Sequence, residues 1–154
     1  MTYANFDKAS FAGARLGAAS LYGAKLRHTN WLRADLSRSD MRDTQLQEAD
    51  FSLANLELTD FSEAKLAGAQ FTGAQFKGTI LLGADLRNAS LRGATFAGAV
   101  LRDATMDGAQ LDGADFRGSL GLAAAQVCSS RGWATAQFDA DVLQAVQSQC
   151  GSAR

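Results

Sequence analysis

The chain has 154 residues, enough for one domain with its own core, and 15 basic against 16 acidic residues leave a net charge of −1. That balance excludes a global field that would select nucleic acid or an anionic membrane, so partners must be sought in local patches. Neither a charged-then-apolar leader nor a run of about eighteen apolar residues occurs, which predicts a cytoplasmic protein without a membrane segment, not exported by the usual route.

From Phe6 to Phe116 every fifth residue is large and apolar, twenty-three in succession. Two positions before each stands a small residue, Ala eighteen times and otherwise Thr29, Ser39, Thr44, Thr59 or Thr79. A helix repeats its face every 3.6 residues and a strand every two, so neither suits this period. A coil of short extended sides joined by corners does. The small and the large residue then point inward, the residue between them points out, and the two that follow make the corner. Gly recurs as the last residue of the unit, as at Gly13, Gly23, Gly73, Gly83 and Gly93, where a type II turn requires positive φ. Aromatic residues recur twenty apart, as Phe11, Trp31, Phe51 and Phe71 and as Phe76, Phe96 and Phe116. A spacing of twenty means four sides. The expected fold is an all-β solenoid over residues 1–119, of about six coils and roughly 28 Å tall, with a filled interior. Residues 120–154 form a C-terminal helical cap and tail.

The unit stands undisguised in Ala34-Asp35-Leu36, Ala49-Asp50-Phe51, Ala54-Asn55-Leu56, Ala84-Asp85-Leu86 and Ala114-Asp115-Phe116. In these the chain resembles the pentapeptide-repeat proteins, whose motif is A-(D/N)-L-x-x. The resemblance implies a right-handed four-sided β-helix of bacterial type. The middle position departs from Asp or Asn in many units and is apolar at Ile80 and Val100.

In chain order, the first coil begins at Ala4 with no capping helix ahead of it, leaving unpaired strand groups beneath Phe6 and Phe11. Such an end either frays or docks a second copy, giving a homodimer. From His28 to Glu63 the Gly corners give way to His28, Arg33, Arg38, Asp43, Glu48, Leu53, Leu58 and Glu63. Most of these disfavour positive φ, so another turn type and a squarer cross-section are expected in this half. His28 is the sole histidine and reads as a solvated corner residue rather than a ligand or base.

Beyond Leu66, Ile80, Leu82 and Val100 fall on outward positions of the fourth side. Three exposed apolar residues at neighbouring heights read either as a contact surface, for a partner or a second copy, or as a seat for the chain's own tail. From Leu120 the period becomes helical. Leu120, Ala123, Ala124, Val127 and Cys128 share one face, Gly132 is a stop, and Phe138, Val142 and Val146 form a second stripe behind Asp139 and Asp141. Trp133, Ala136, Phe138, Asp139 and Val142 also resemble the N-W-x-x-A-x-Y-D-x-x-L tail of many cyanobacterial pentapeptide-repeat proteins, with Gly132 in place of Asn. Cys128 and Cys150 are expected as reduced thiols in a cytoplasmic chain.

A filled coil offers no enzyme pocket, and no metal, phosphate or nucleophile motif occurs, so neither an enzymatic activity nor a cofactor is expected. The fourth side is acidic, with Asp40, Asp43, Asp60, Glu63 and Asp103 against Arg42 and Arg102. Asp40 and Asp60 should stack one coil apart, where such a pair either raises one carboxyl pKa or holds a cation, or is simply solvated. The expected role is a scaffold for protein contacts through Ile80, Leu82 and Val100, bordered by the charged residues of that side. The alternative that the family resemblance implies is imitation of duplex DNA, by which acidic repeat rods occupy DNA gyrase and other topoisomerases and relieve their inhibition. Direct binding of nucleic acid is not expected.

Overall fold

In the computed structural model, which describes residues 1–151, each five-residue unit contributes one outward residue to a parallel bridge with the residues twenty before and twenty after it. Ser20, Asp40, Asp60, Ile80, Val100 and Leu120 form one such column, and the other three walls are built likewise. The four sides read from the aromatic spacing are therefore the four sides of the coil.

Two kinds of hydrogen bond hold successive coils. The N–H of a large residue donates to the next coil, as from Phe51 to the Gln70 carbonyl at 2.7 Å, and the outward residue donates back, as from Gln70 to Ala49 at 2.9 Å. Inside, the predicted columns stack. Phe11, Trp31, Phe51 and Phe71 have ring centroids 4.2, 5.7 and 5.1 Å apart. Phe76, Phe96 and Phe116 lie 4.5 and 4.4 Å apart, and Phe138 from the cap adds a fourth ring at 5.5 Å. Thr29 occupies a small inward position because Trp31 needs a partner: the indole N–H donates to its hydroxyl at 2.8 Å. The core is fully buried from Leu21 upward, whereas Phe6, Phe11 and Leu16 are only partly covered at the N-terminal end.

Each corner is a turn closed by a bond from the following small residue to the large one, as from Ala54 N–H to the Phe51 carbonyl at 3.0 Å. Its third residue takes positive φ, the type II pattern. The corners from His28 to Glu63 obey the same rule: His28, Arg33, Arg38, Asp43, Glu48, Leu53, Leu58 and Glu63 lie at φ between 56° and 61°. The expected change of turn type, and the squarer half it implied, do not occur. Each of these residues spends about 1–2 kcal/mol in the left-handed region. Leaving it would break the coil ladder, because the same residue's N–H donates upward, as from Leu58 to the Lys77 carbonyl and from Glu63 to Leu82, both at 2.9 Å. The side chains of Glu48, Leu53, Leu58 and Glu63 lean over the corner above, where in each case a glycine stands. A β-carbon on Gly73 would sit 2.9 Å from Leu53 Cδ2, and one on Gly78 2.8 Å from Leu58 Cδ2.

The tract ends one unit later than its helical periodicity suggested. Leu120 still bridges Val100, so it belongs to the fourth wall and not to a helix face; α1 spans Ala124–Cys128. Gln126 replaces the missing first-wall unit, its amide donating to the Leu101 and Ala104 carbonyls at 2.8 Å each. Between the helices the chain lays down two further sides, Arg131 bridging Gln110 and Gln137 bridging Asp115. Gly132, expected as a helix stop, instead starts a short 3-10 turn at Trp133–Thr135. α2 spans Ala140–Cys150 with Asp139 as its N-cap, and Val146 is buried beneath it. Cys128 and Cys150 are joined in a disulfide with Cα atoms 5.3 Å apart, correcting the expectation of reduced thiols. The extra two sides bring the ends of α1 and α2 together, which their sequence separation of 22 does not reveal.

Candidate interaction surface

The fourth wall and the corner that follows it carry every residue singled out from the sequence, in two unlike halves. In the lower half Arg42 folds back onto the residue two before it, donating to both oxygens of Asp40 at 2.9 and 2.8 Å. It also approaches Asp60 to 3.8 Å and lies over the Tyr22 ring, 5.5 Å from its centroid. The guanidinium holds the Asp40 carboxyl below the usual carboxylate range, with burial opposing it. Asp60 accepts from the Ser62 N–H at 2.9 Å and its hydroxyl at 2.6 Å. The stacked pair therefore does not push Asp40 upward, because Arg42 supplies the counter-charge that a bound cation would have brought. The Tyr3 hydroxyl, then the Asp43 carboxylate, push the Tyr22 phenol up to about 12.

The upper half is apolar. Ile80, Val100 and Leu120 stand in one bridged column, with Leu82 on the adjoining corner. Ile80 is 37% exposed, Leu82 39% and Leu120 56%, so the described part of the C-terminal tail leaves them open, whereas Val100, expected to be exposed with them, is half-buried between its neighbours in the column. Leu120 escaped the sequence reading, although the twenty-residue spacing from Val100 pointed to it. Glu63 leans over Gly83. Arg102 and Asp103 complete the corner, exposed and without an ion-pair partner among the described residues.

Elsewhere several aspartates are matched locally. Arg87 is bidentate on Asp85, Arg117 on Asp115, and Arg27 pairs with Asp7 one coil below. His28 Nδ1 lies 3.2 Å from Glu48 Oε2 of the next coil. Among the described residues no cluster of three metal-ligating side chains occurs, and no helix is long and apolar enough to cross a membrane.

The sequence model of pentapeptide repeats matches residues 19–57, 45–81, 54–93 and 80–118. No curated protein matches the chain. Among solved structures, HetL, a pentapeptide repeat protein involved in heterocyst differentiation regulation in the cyanobacterium Nostoc sp. strain PCC 7120, is 25% identical with a TM-score of 0.57. The match covers 74% of this chain and 63% of HetL, so this chain spans less than two thirds of that protein. A pentapeptide repeat protein of the Arabidopsis thaliana thylakoid lumen, AT2G44920, is 32% identical over 59% of this chain and 70% of its own, with a TM-score of 0.49. QnrB1, a plasmid-mediated fluoroquinolone resistance protein, is 15% identical over 99% of both chains, with a TM-score of 0.38. The likeness to HetL gives the coil its hand, that of a right-handed β-helix.

Proposed function

Because the chain belongs to the pentapeptide repeat family, whose solid coil offers walls rather than a pocket, we propose that it is a non-enzymatic scaffold that docks a protein on its fourth wall. The observation carrying this reading is the apolar column of exposed Ile80 and Leu120 with half-buried Val100 between them, beside exposed Leu82. A wall hydrogen-bonded along its whole height binds with little ordering cost, and apolar side chains fixed on it lose no further backbone freedom. Asp40, Asp43, Asp60 and Glu63 below, with Arg102 and Asp103 beside the column, supply a polar rim. The test compares proteins captured from native lysate by the wild type and by Ile80→Glu with Leu82→Glu, identified by mass spectrometry. A partner that binds the wild type and is lost from the double variant supports the assignment; an unchanged set refutes it.

Imitation of DNA fits less well, since Arg42, Arg87, Arg117 and Arg27 each neutralise an aspartate that a negatively charged rod would display. A gyrase supercoiling assay decides between the two, the scaffold reading expecting neither inhibition nor protection at micromolar protein. The disulfide also bears on compartment: a Cys128–Cys150 bond is maintained where thiols are kept oxidised, which favours such a location over the reducing cytoplasm.

A further inference from the structure

We infer that the C-terminal cap is a redox latch: the Cys128–Cys150 disulfide holds α2 against the end of the coil, and its reduction by a protein dithiol frees α2 while the coil stays folded. The inference does not depend on the docking reading. What carries it is the unequal anchoring of the two helices that the bond joins. Cys128 ends α1 and Cys150 ends α2, so the bond ties the C-terminal ends of two helices that pack on each other.

Around Cys128 the chain is tied to the coil without help from the disulfide. Gln126 donates to the Leu101 and Ala104 carbonyls at 2.8 Å each, and the Gly108 N–H donates to the Ser129 carbonyl at 2.8 Å. Arg131 and Gln137 extend two walls, donating to the Ala109 and Ala114 carbonyls at 2.7 and 2.8 Å. Around Cys150 such ties are missing. Among the described residues, the one hydrogen bond joining α2 and its N-cap to the coil runs from the Gly118 N–H to the Asp139 carboxylate at 2.8 Å, at the end of the helix away from Cys150. Of the eleven residues Ala140–Cys150 only Val146 is fully buried, with Val142 and Cys150 partly so. No basic side chain stands in the last turn to favour the helix dipole. A helix of this length is marginal by itself, and one buried valine does not offset the entropy of ordering it. Without the bond, α2 swings away from its hinge at Asp139.

The bond lies within reach of a reductant, since both cysteines are half-exposed and not sealed in the core. A thiolate of the dithiol attacks one sulfur of the bond, forming a mixed disulfide and expelling the other cysteine as a thiolate. The second thiol of the reductant then displaces the first cysteine. Two electrons pass to the cap, each cysteine takes up a proton, and the reductant leaves as its own disulfide. Release bares the apolar face between the helices, with Val127 on α1 and Val146 on α2. The ladder of the coil does not run through α2, so the walls persist and only the end of the rod changes.

The test is hydrogen–deuterium exchange, read by mass spectrometry, on the full chain when oxidised, when reduced with dithiothreitol, and when reoxidised after its removal. In the reduced protein the amides of α2 are expected to exchange at least about tenfold faster while those of residues 44–120 keep their protection, and reoxidation should restore the first pattern. Cys150→Ser should show the reduced pattern with or without reductant. Reduced thioredoxin, a protein dithiol, should convert both Cys128 and Cys150 to thiols that alkylation then labels. Five results each overturn the inference: equal protection of α2 in the oxidised and reduced protein, loss of protection spreading through the coil, a pattern that reoxidation does not restore, a Cys150→Ser variant that keeps the oxidised pattern, or a bond that thioredoxin leaves intact.

Discussion

Truncating Phe96 tests the claim that the solenoid is a solid column. Phe96 is fully buried and lies between Phe76 and Phe116 at 4.5 and 4.4 Å. Replacement by Ala removes the ring, leaves a void and breaks two stacks. Core Phe→Ala changes cost about 3–5 kcal/mol, and each stacked pair contributes about 0.5–1.5 kcal/mol beyond its buried area. The walls cannot collapse into the space, because Phe96 N–H is tied to the Asp115 carbonyl and Gly98 N–H to Gly118, both at 2.9 Å. A loss of about 4 kcal/mol is therefore expected. Phe11→Ala is the control from the same architecture: its ring is only partly buried, stacks on Trp31 at 4.2 Å and meets Phe6 edge-on at 5.7 Å. About half the loss, near 2 kcal/mol, is expected there. Urea unfolding followed by circular dichroism reads both as shifts in midpoint at constant slope. A Phe96→Ala cost below about 1.5 kcal/mol would mean a loosely filled interior and would refute the reasoning. Equal costs at the two positions would show that the N-terminal end is covered in solution.

Three further outcomes follow from the same geometry. Gly93→Ala, with nothing within 4 Å of the new β-carbon, should cost only the left-handed penalty of about 1 kcal/mol, whereas Gly121→Ala, facing Arg102 backbone atoms at 3.2 and 3.3 Å, should cost more; thermal melts rank them. Reducing the disulfide, or Cys150→Ser, should destabilise the cap by about 3 kcal/mol for a closed loop of this length, read as a lower Tm with reductant in the wild type and no effect of reductant on the variant. Asp40, Asp85 and Asp115 are held below the ordinary carboxylate range, chiefly by hydrogen bonds from Arg42, Arg87 and Arg117. Their contribution is present above the unfolded value near 4 and lost as pH falls through the lower folded values, so Tm should hold from pH 7 to about 5 and drop below about 4, less steeply in Asp115→Asn.

The walls and columns were legible because closure leaves no freedom: once four sides of five residues make a turn, Phe76, Phe96 and Phe116 must stack, and Ile80, Leu82 and Val100 must face out. What escaped depended on contacts that periodicity does not encode. The corners from His28 to Glu63 were misread because a single-residue preference of about 1–2 kcal/mol was weighed alone. At each corner that preference opposes a turn bond, a bond to the coil above and the seating of two inward side chains, so the turn is chosen by the coil and not by the residue. The partner of Asp40 escaped for a related reason. The aspartate and the arginine two residues later lie in one unit, and that spacing recurs in Asp85 with Arg87 and Asp115 with Arg117, each joined by two hydrogen bonds. Stacking of like carboxylates was read along the wall, whereas the stronger neighbour lay along the chain. Cys128 and Cys150 depended on the cap laying two more sides before α2. Leu120 was assigned to a helix because Gly121 occupied the next large position. Yet Leu120 keeps the wall's bridge to Val100 and extends the apolar column, while Phe138 carries the aromatic stack on beyond Phe116.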